Sequence, residues 1–207
     1  MGQRHHKQKA ASPPASVNAV AVLDIVLYPD DRLRAKCKPV ESFDDELQAL
    51  IDDMIETMYD APGIGLAAPQ VGRDLQLTVI DTRDREKPDP DNPGLLVLIN
   101  PRIVEKSSET LTWEEGCLSI PGVFDDVTRP KRVVVEALDR HGEPFTIEGE
   151  ELLAICLQHE IDHLKGVLFL DYLSRLKMRM AMKTYKRTKA GYLADLKKKR
   201  EEKGDPA

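Results

Sequence analysis

The sequence predicts an α+β fold: antiparallel or mixed β-strands gathered around a central helix, with one helix before them and a basic helix after. Three observations carry this. Apolar residues recur at helical spacing in three separated stretches, at 42–60, 150–165 and 173–200. Between the first two stretches, residues 75–147 are a run of short β-rich segments divided by turn residues. No regular alternation of strand and helix appears, which argues against a doubly wound parallel sheet. The 207 residues, 41% hydrophobic and 32% charged, suit one globular domain with a buried core.

Residues 1–18 contain no acid and almost no large apolar side chain, so a solvated, disordered tail is expected. They lack the apolar core of a secretory signal. Their Ser/Ala-rich, acid-poor character also suits an organellar transit peptide, which is the weaker reading. The first helix is expected over 42–60, capped by Ser42 with Asp45 three residues on. Leu47, Leu50, Ile51, Met54, Ile55 and Met58 form its core-facing stripe. A loop follows at Pro62-Gly63-Ile64-Gly65.

Strands are expected at 75–82, 95–100, 102–105, 132–138 and 144–147, with a polar, proline-rich loop at 83–94. The second helix spans about 150–165. The third, from about 173 to 200, is docked by Leu173, Leu176 and Met180 and open to interruption near Gly191. Residues 174–203 carry a net +9 although the whole chain is −6. A polyanion could therefore meet this one segment but not the protein at large. No run of about 18 apolar residues exists, so no membrane-spanning helix is expected. Cys37, Cys117 and Cys156 are too few and too scattered for a disulfide framework, which fits a reducing compartment.

The chemistry is concentrated in the second helix, at His159-Glu160-Ile161-Asp162-His163. Histidines four residues apart lie one turn apart on the same face and can grip one metal ion. A glutamate directly after the first can act as base on water at that metal. Leu152, Ile155, Cys156, His159 and His163 continue one apolar face, so both imidazoles should point inward, where they need partners. The plain alternative is a polar surface helix.

A catalytic site of this type has three protein ligands and one open position. Two protease templates fail at the third. Phe169 stands where a metzincin would place its last histidine, and no acid lies between Asp171 and Asp195 to serve as the thermolysin-type carboxylate. The cysteines remain. Cys156 shares the helix and suits a small wall residue, and Cys37 lies in an unremarkable polar stretch. Cys117, in Glu114-Glu115-Gly116-Cys117-Leu118-Ser119, follows a strand signal and sits beside a glycine, which suits a presented ligand as well as a buried structural thiol. Spacing and ligand softness alone favour zinc.

Three segments together are identified with a known family. Gly63-Ile64-Gly65-Leu66-Ala67-Ala68-Pro69-Gln70, Glu115-Gly116-Cys117-Leu118-Ser119 and His159-Glu160-Ile161-Asp162-His163 resemble the signature motifs of peptide deformylases, in the family's order. The resemblance spans about residues 20–190, and the basic C-terminal helix looks like the bacterial type I branch. It implies a hydrolase that removes the formyl group from the N-terminal methionine of nascent chains. By resemblance, Cys117, His159 and His163 hold the metal and Glu160 is the general base. The Gln70 amide and the Leu118 backbone N–H steady the oxyanion. Ile64 and Gly65 pair with substrate backbone, while Ile64, Leu152, Ile155 and Cys156 wall the methionine pocket. Arg129 resembles a supporting arginine, and Trp113 reads as packing.

The same resemblance implies one divalent ion, Fe2+ before Zn2+, Ni2+ or Co2+, a bacterial cytoplasmic location, and ribosome contact through the basic helix, whose plainer reading is a solvated face. On it, residues 19–172 are the catalytic unit and 173–207 the helix and tail of the same domain. Two other functions compete: a zinc endopeptidase, resting on the histidine helix alone, and a non-catalytic metal-stabilised binder, which would need neither Glu160 nor Gln70.

Overall fold

The computed structural model describes residues 20–83 and 92–203. The tail at 1–18 and most of the 83–94 loop lie outside the described residues. Among the described residues, three α-helices and seven strands follow in chain order: α1 (Asp45–Asp60), β1 (Gly65–Ala67), β2 (Leu77–Ile80), β3 (Leu96–Lys106), β4 (Thr110–Gly116), β5 (Phe124–Pro130), β6 (Arg132–Leu138), β7 (Pro144–Glu150), α2 (Glu151–His163) and α3 (Arg175–Lys203). Every strand pair is antiparallel. Five strands form one sheet in the order β1-β2-β3-β6-β7, and β4 and β5 form a separate ribbon. The fold is α+β, as the segregated periodicities predict.

The cap of α1 is Asp44 rather than Ser42. Its carboxylate accepts from Leu47 N–H at 3.0 Å, satisfying one of the unpaired first-turn donors. Leu47, Ile51, Met54 and Met58 then bury one stripe against Leu66, Leu77 and Val79 of β1 and β2. The helix ends before Pro62, and Gly63 N–H donates to Met58 O at 2.8 Å as the chain turns into β1.

The two segments expected at 95–100 and 102–105 are one strand, β3, running through Pro101. Register shifts between Ile99 and Arg102, and again before Glu105, absorb the missing proline N–H. The strand signal before Cys117 is β4, and its pairing with β5 as a separate ribbon is an addition to the expected strands. Both strands are acid-rich and mostly exposed, so neither shows the alternation that marks a half-buried strand.

Helix α2 is central. Nine of its thirteen residues are buried, including Gln158, His159, Glu160 and His163. One side packs Ala154, Cys156, Leu157 and Ile161 against Ile80, Leu98, Val133 and Val135 of the sheet. Phe169 lies on its other side, stacked 6.3 Å from the His159 ring. Helix α3 starts after Ser174, whose hydroxyl accepts from Lys177 N–H at 3.3 Å, and runs unbroken through Gly191. Its docked stripe is Met178, Ala181, Met182 and Tyr185, with Leu173 just before it. Leu176 and Met180, expected to dock it, are 64% and 62% exposed. They lie on the opposite phase of the 3.6-residue repeat, which several apolar residues in close succession leave ambiguous to the eye.

A candidate metal and catalytic site

The site forms where α2, the turn after β4 and the segment around β1 meet. Burying α2 on nearly all sides forces His159 and His163 inward, 9% and 1% exposed. Their Nε2 atoms face each other at 3.2 Å, and Cys117 Sγ lies 3.3 Å from Nε2 of His163. The ligand atoms of Cys117, His159 and His163 all lie within 4.8 Å of one another. Cys117 reaches this point because β4 ends at Gly116 and a tight turn follows, closed by Ile120 N–H donating to Cys117 O at 2.8 Å.

The donor set fits a metal ion on its own chemistry. Nδ1 of His159 stands 2.8 Å from the Glu115 carboxylate. Burial pushes the Glu115 carboxyl up, but hydrogen bonds from His159 and Arg129 outweigh it and hold the group below the usual carboxylate range. An ionised carboxylate only accepts, so Nδ1 of His159 carries a proton and Nε2 is the ring atom turned towards Cys117 and His163. One cysteine sulfur and two imidazole nitrogens then converge within 4.8 Å of one another, a donor set typical of a soft-to-borderline divalent cation.

Glu115 is in turn held by Arg129, through contacts of 2.6 and 3.1 Å. Arg129 also donates to Asp162 at 2.7 Å, and Tyr172 donates to the same Asp162 oxygen at 2.8 Å. The chain Tyr172–Asp162–Arg129–Glu115–His159 therefore links the 3-10 turn after α2, α2 itself and the ribbon. Arg129 was singled out in the sequence. Glu115, Asp162 and Tyr172 were not, because their partners are distant in sequence.

Glu160 lies beside the histidines with its carboxylate against Gly65. A Cβ on Gly65 would sit 2.8 Å from Glu160 Cδ, so only glycine lets β1 pass here. Oε2 of Glu160 has no hydrogen-bond partner although it is buried. Burial pushes the carboxyl up to about 7, against the pull of His159 and with Glu115 repelling. A carboxyl group so placed can exchange protons in the neutral range.

Gln70 is fixed at one end, where its carbonyl accepts from Ala67 N–H at 2.8 Å. Its amide Nε2 thereby points into the site, 3.4 Å from Cys117 Sγ and 3.2 Å from Ser119 Oγ. Ser119, fully buried, is a neighbour that the sequence did not single out.

These groups open on a cavity of about 1000 Å3. Its walls include Gln70, Cys117, Leu118, His159 and Glu160, together with Ile64, Gly65, Leu152, Ile155 and Cys156. His163 stands behind this wall. Cys156 is buried, with Sγ 3.6 Å from the Ile64 carbonyl. Ile64 is 43% exposed at the cavity rim. Trp113 also lines the cavity and is 40% exposed. Cys37 is remote, buried with Ala67 and Leu164.

Known proteins are similar to this chain in sequence and fold. The profile of the family described as polypeptide deformylase matches residues 22–179. A peptide deformylase from Hydrogenovibrio crunogenus is 52% identical over 168 residues, covering 81% of this chain and 95% of that protein. The crystal structure of a peptide deformylase from Legionella pneumophila superposes with a TM-score of 0.77 at 51% identity, covering 84% of this chain and 98% of that one. That of Ehrlichia chaffeensis, solved in complex with actinonin, gives 0.76 at 43% identity, covering 81% and 98%.

Proposed function

The chain belongs to the polypeptide deformylase family, and on that footing we propose how its residues work as a metal-dependent hydrolase that removes the N-terminal formyl group from nascent polypeptides. The observation that carries the reading is the convergence of Cys117, His159 and His163 beside the buried carboxylate of Glu160. Cys117, His159 and His163 would hold one divalent ion, which supplies Lewis-acid activation of a water nucleophile.

Glu160 takes the proton of that attacking water as its oxygen bonds to the formyl carbon. The protonated carboxyl then returns a proton to the amine nitrogen as the C–N bond breaks, and formate leaves. Negative charge grows on the formyl oxygen, where the Gln70 amide and the Leu118 backbone N–H donate to it. Gln70 is suited to this because its other end is already tied down, so its donor is oriented before substrate arrives.

The substrate backbone lies along Ile64 and Gly65. Strand β1 is the edge of its sheet, paired with β2 on one side only, and an extended peptide can add as a further strand. The first side chain enters between Ile64, Leu152, Ile155 and Cys156, a wall that suits an unbranched, polarisable methionine.

Ferrous iron is the proposed ion, with a thiolate beside it that would make the protein sensitive to oxygen. Full activity in anaerobically purified protein holding only zinc would contradict iron. The basic α3 suits contact with ribosomal RNA, and the proposed location is the bacterial cytoplasm. No helix among the described residues is long and apolar enough to cross a membrane. Residues 19–172 are read as the catalytic unit, and 173–207 as the helix and tail of the same domain. The test of the reaction is formate release from formyl-Met-Ala by protein prepared anaerobically with iron; absence of release would overturn it.

A further inference from the structure

The cavity continues past the groups that meet the formyl end. Tyr192, Leu196 and Lys199 of α3 also line it. Their spacing of four and three residues puts all three on one face of the helix. They lie beyond residue 179, where the family match ends.

The helix is held firmly at the turn before them. Thr188 Oγ1 donates to Pro121 O at 2.8 Å, and Lys189 Nζ donates to Tyr28 O at 3.0 Å. Gly122, at φ +74°, lets the turn approach so closely that a Cβ there would sit 2.7 Å from Thr188 Cγ2. Farther on, Lys199 Nζ stands 4.0 Å from Asp60 Oδ2, so α3 meets the end of α1 across the cavity. Tyr192 and Leu196 are half-buried, whereas Leu193, Ala194 and Asp195 between them are exposed. Ile64, Trp113 and Phe124 supply exposed apolar surface elsewhere on the same cavity.

We propose that Tyr192 and Leu196 form a downstream subsite that contacts apolar side chains at the third and fourth residues of the formylated peptide. The proposal rests on the deformylase reading above. Its occupant follows from continuity, because Glu160 and Tyr192 line one and the same cavity. From Tyr192 to Lys199 the helix rises about 10.5 Å, the reach of about three extended residues. An aromatic ring and a leucine on that face match apolar partners better than charged ones.

The test compares formyl-Met-Ala with formyl-Met-Ala-Phe-Leu on the full chain and on the double variant Tyr192→Ala, Leu196→Ala. The ratio of kcat/KM for the longer peptide to that for the shorter should fall about five- to tenfold in the variant, through KM rather than kcat. Tyr192→Phe should preserve the ratio, since the ring remains. An unchanged ratio, or an equal loss on both peptides, would overturn the subsite while leaving the deformylase reading intact. No formate from either peptide with the parent protein would overturn that reading, and the subsite with it.

Discussion

Glu115 grips Nδ1 of His159 at 2.8 Å while Arg129 grips Glu115 from the other side, so the orientation of an imidazole on α2 is set by residues of the β4–β5 ribbon. This makes Glu115 a positioning residue. Glu115→Gln keeps the shape but weakens the hold on the Nδ1 proton. Metal affinity should drop about 10- to 100-fold, measured by competition with a chelator. Unchanged affinity would mean that packing alone orients the ring.

Arg129 is 3% exposed and pairs with two carboxylates, Glu115 and Asp162. Arg129→Leu removes the cation from both, leaving Glu115 with His159 and Asp162 with Tyr172. Breaking a buried pair from one side costs about 3–5 kcal/mol, so a large drop in denaturation midpoint is expected. A loss below about 1 kcal/mol, the value of a surface pair, would show that water reaches the network.

Gln70 is the side-chain donor proposed for the oxyanion. Gln70→Ala should lower kcat by about 10²–10³ with little change in KM, as a group acting in the transition state should. A rise in KM alone would reassign Gln70 to ground-state binding.

Gly65 and Glu160 are in such close contact that any side chain at 65 must displace the carboxylate. Gly65→Ala should therefore cost kcat, and soaked metal should still bind, because the three ligands are untouched. Loss of metal together with activity would mean that the substitution collapses the site more broadly.

Asp81 lies at the end of β2, where its backbone N–H donates to Ile64 O at 2.9 Å and Tyr59 donates to its carboxylate at 2.6 Å. Chiefly through hydrogen bonds from Arg83, its carboxyl is lowered to about 2 from an ordinary 3.8. A depressed folded-state value stabilises the fold above about pH 4 and loses that contribution as pH falls towards 2. Thermal melts of Asp81→Asn should therefore show a deficit at pH 7 that shrinks by pH 2. A deficit independent of pH would contradict the electrostatic origin.

The helices were legible because each carries a repeated apolar stripe, and α2 displayed both its burial and its two histidines in one short run. The phase of α3 was harder to read. Leu176, Met178, Met180 and Met182 offer competing stripes, and only packing on Phe169 and Tyr28 selects one. The pairing of β4 with β5 is hidden because Glu114, Glu115, Asp125 and Asp126 break the apolar pattern, although Glu115 is acidic for a reason that appears only when His159 arrives 44 residues later. The site's ligands could be named from motif resemblance. Their support could not, since the network joins Glu115, Arg129, Asp162 and Tyr172 from four elements. The cavity's wall on α3 likewise depends on how the helix lies, which no local pattern states.

The most direct test pairs metal content with turnover in Glu160→Ala. The protein is prepared anaerobically with ferrous iron, and formate release from a formyl-Met peptide is measured beside bound iron. The account predicts one ion per chain in both parent and variant, brisk release by the parent, and none above background in the variant. Formate release by the variant at the parent's rate, with iron bound, would contradict the central claim that the Glu160 carboxylate moves the proton.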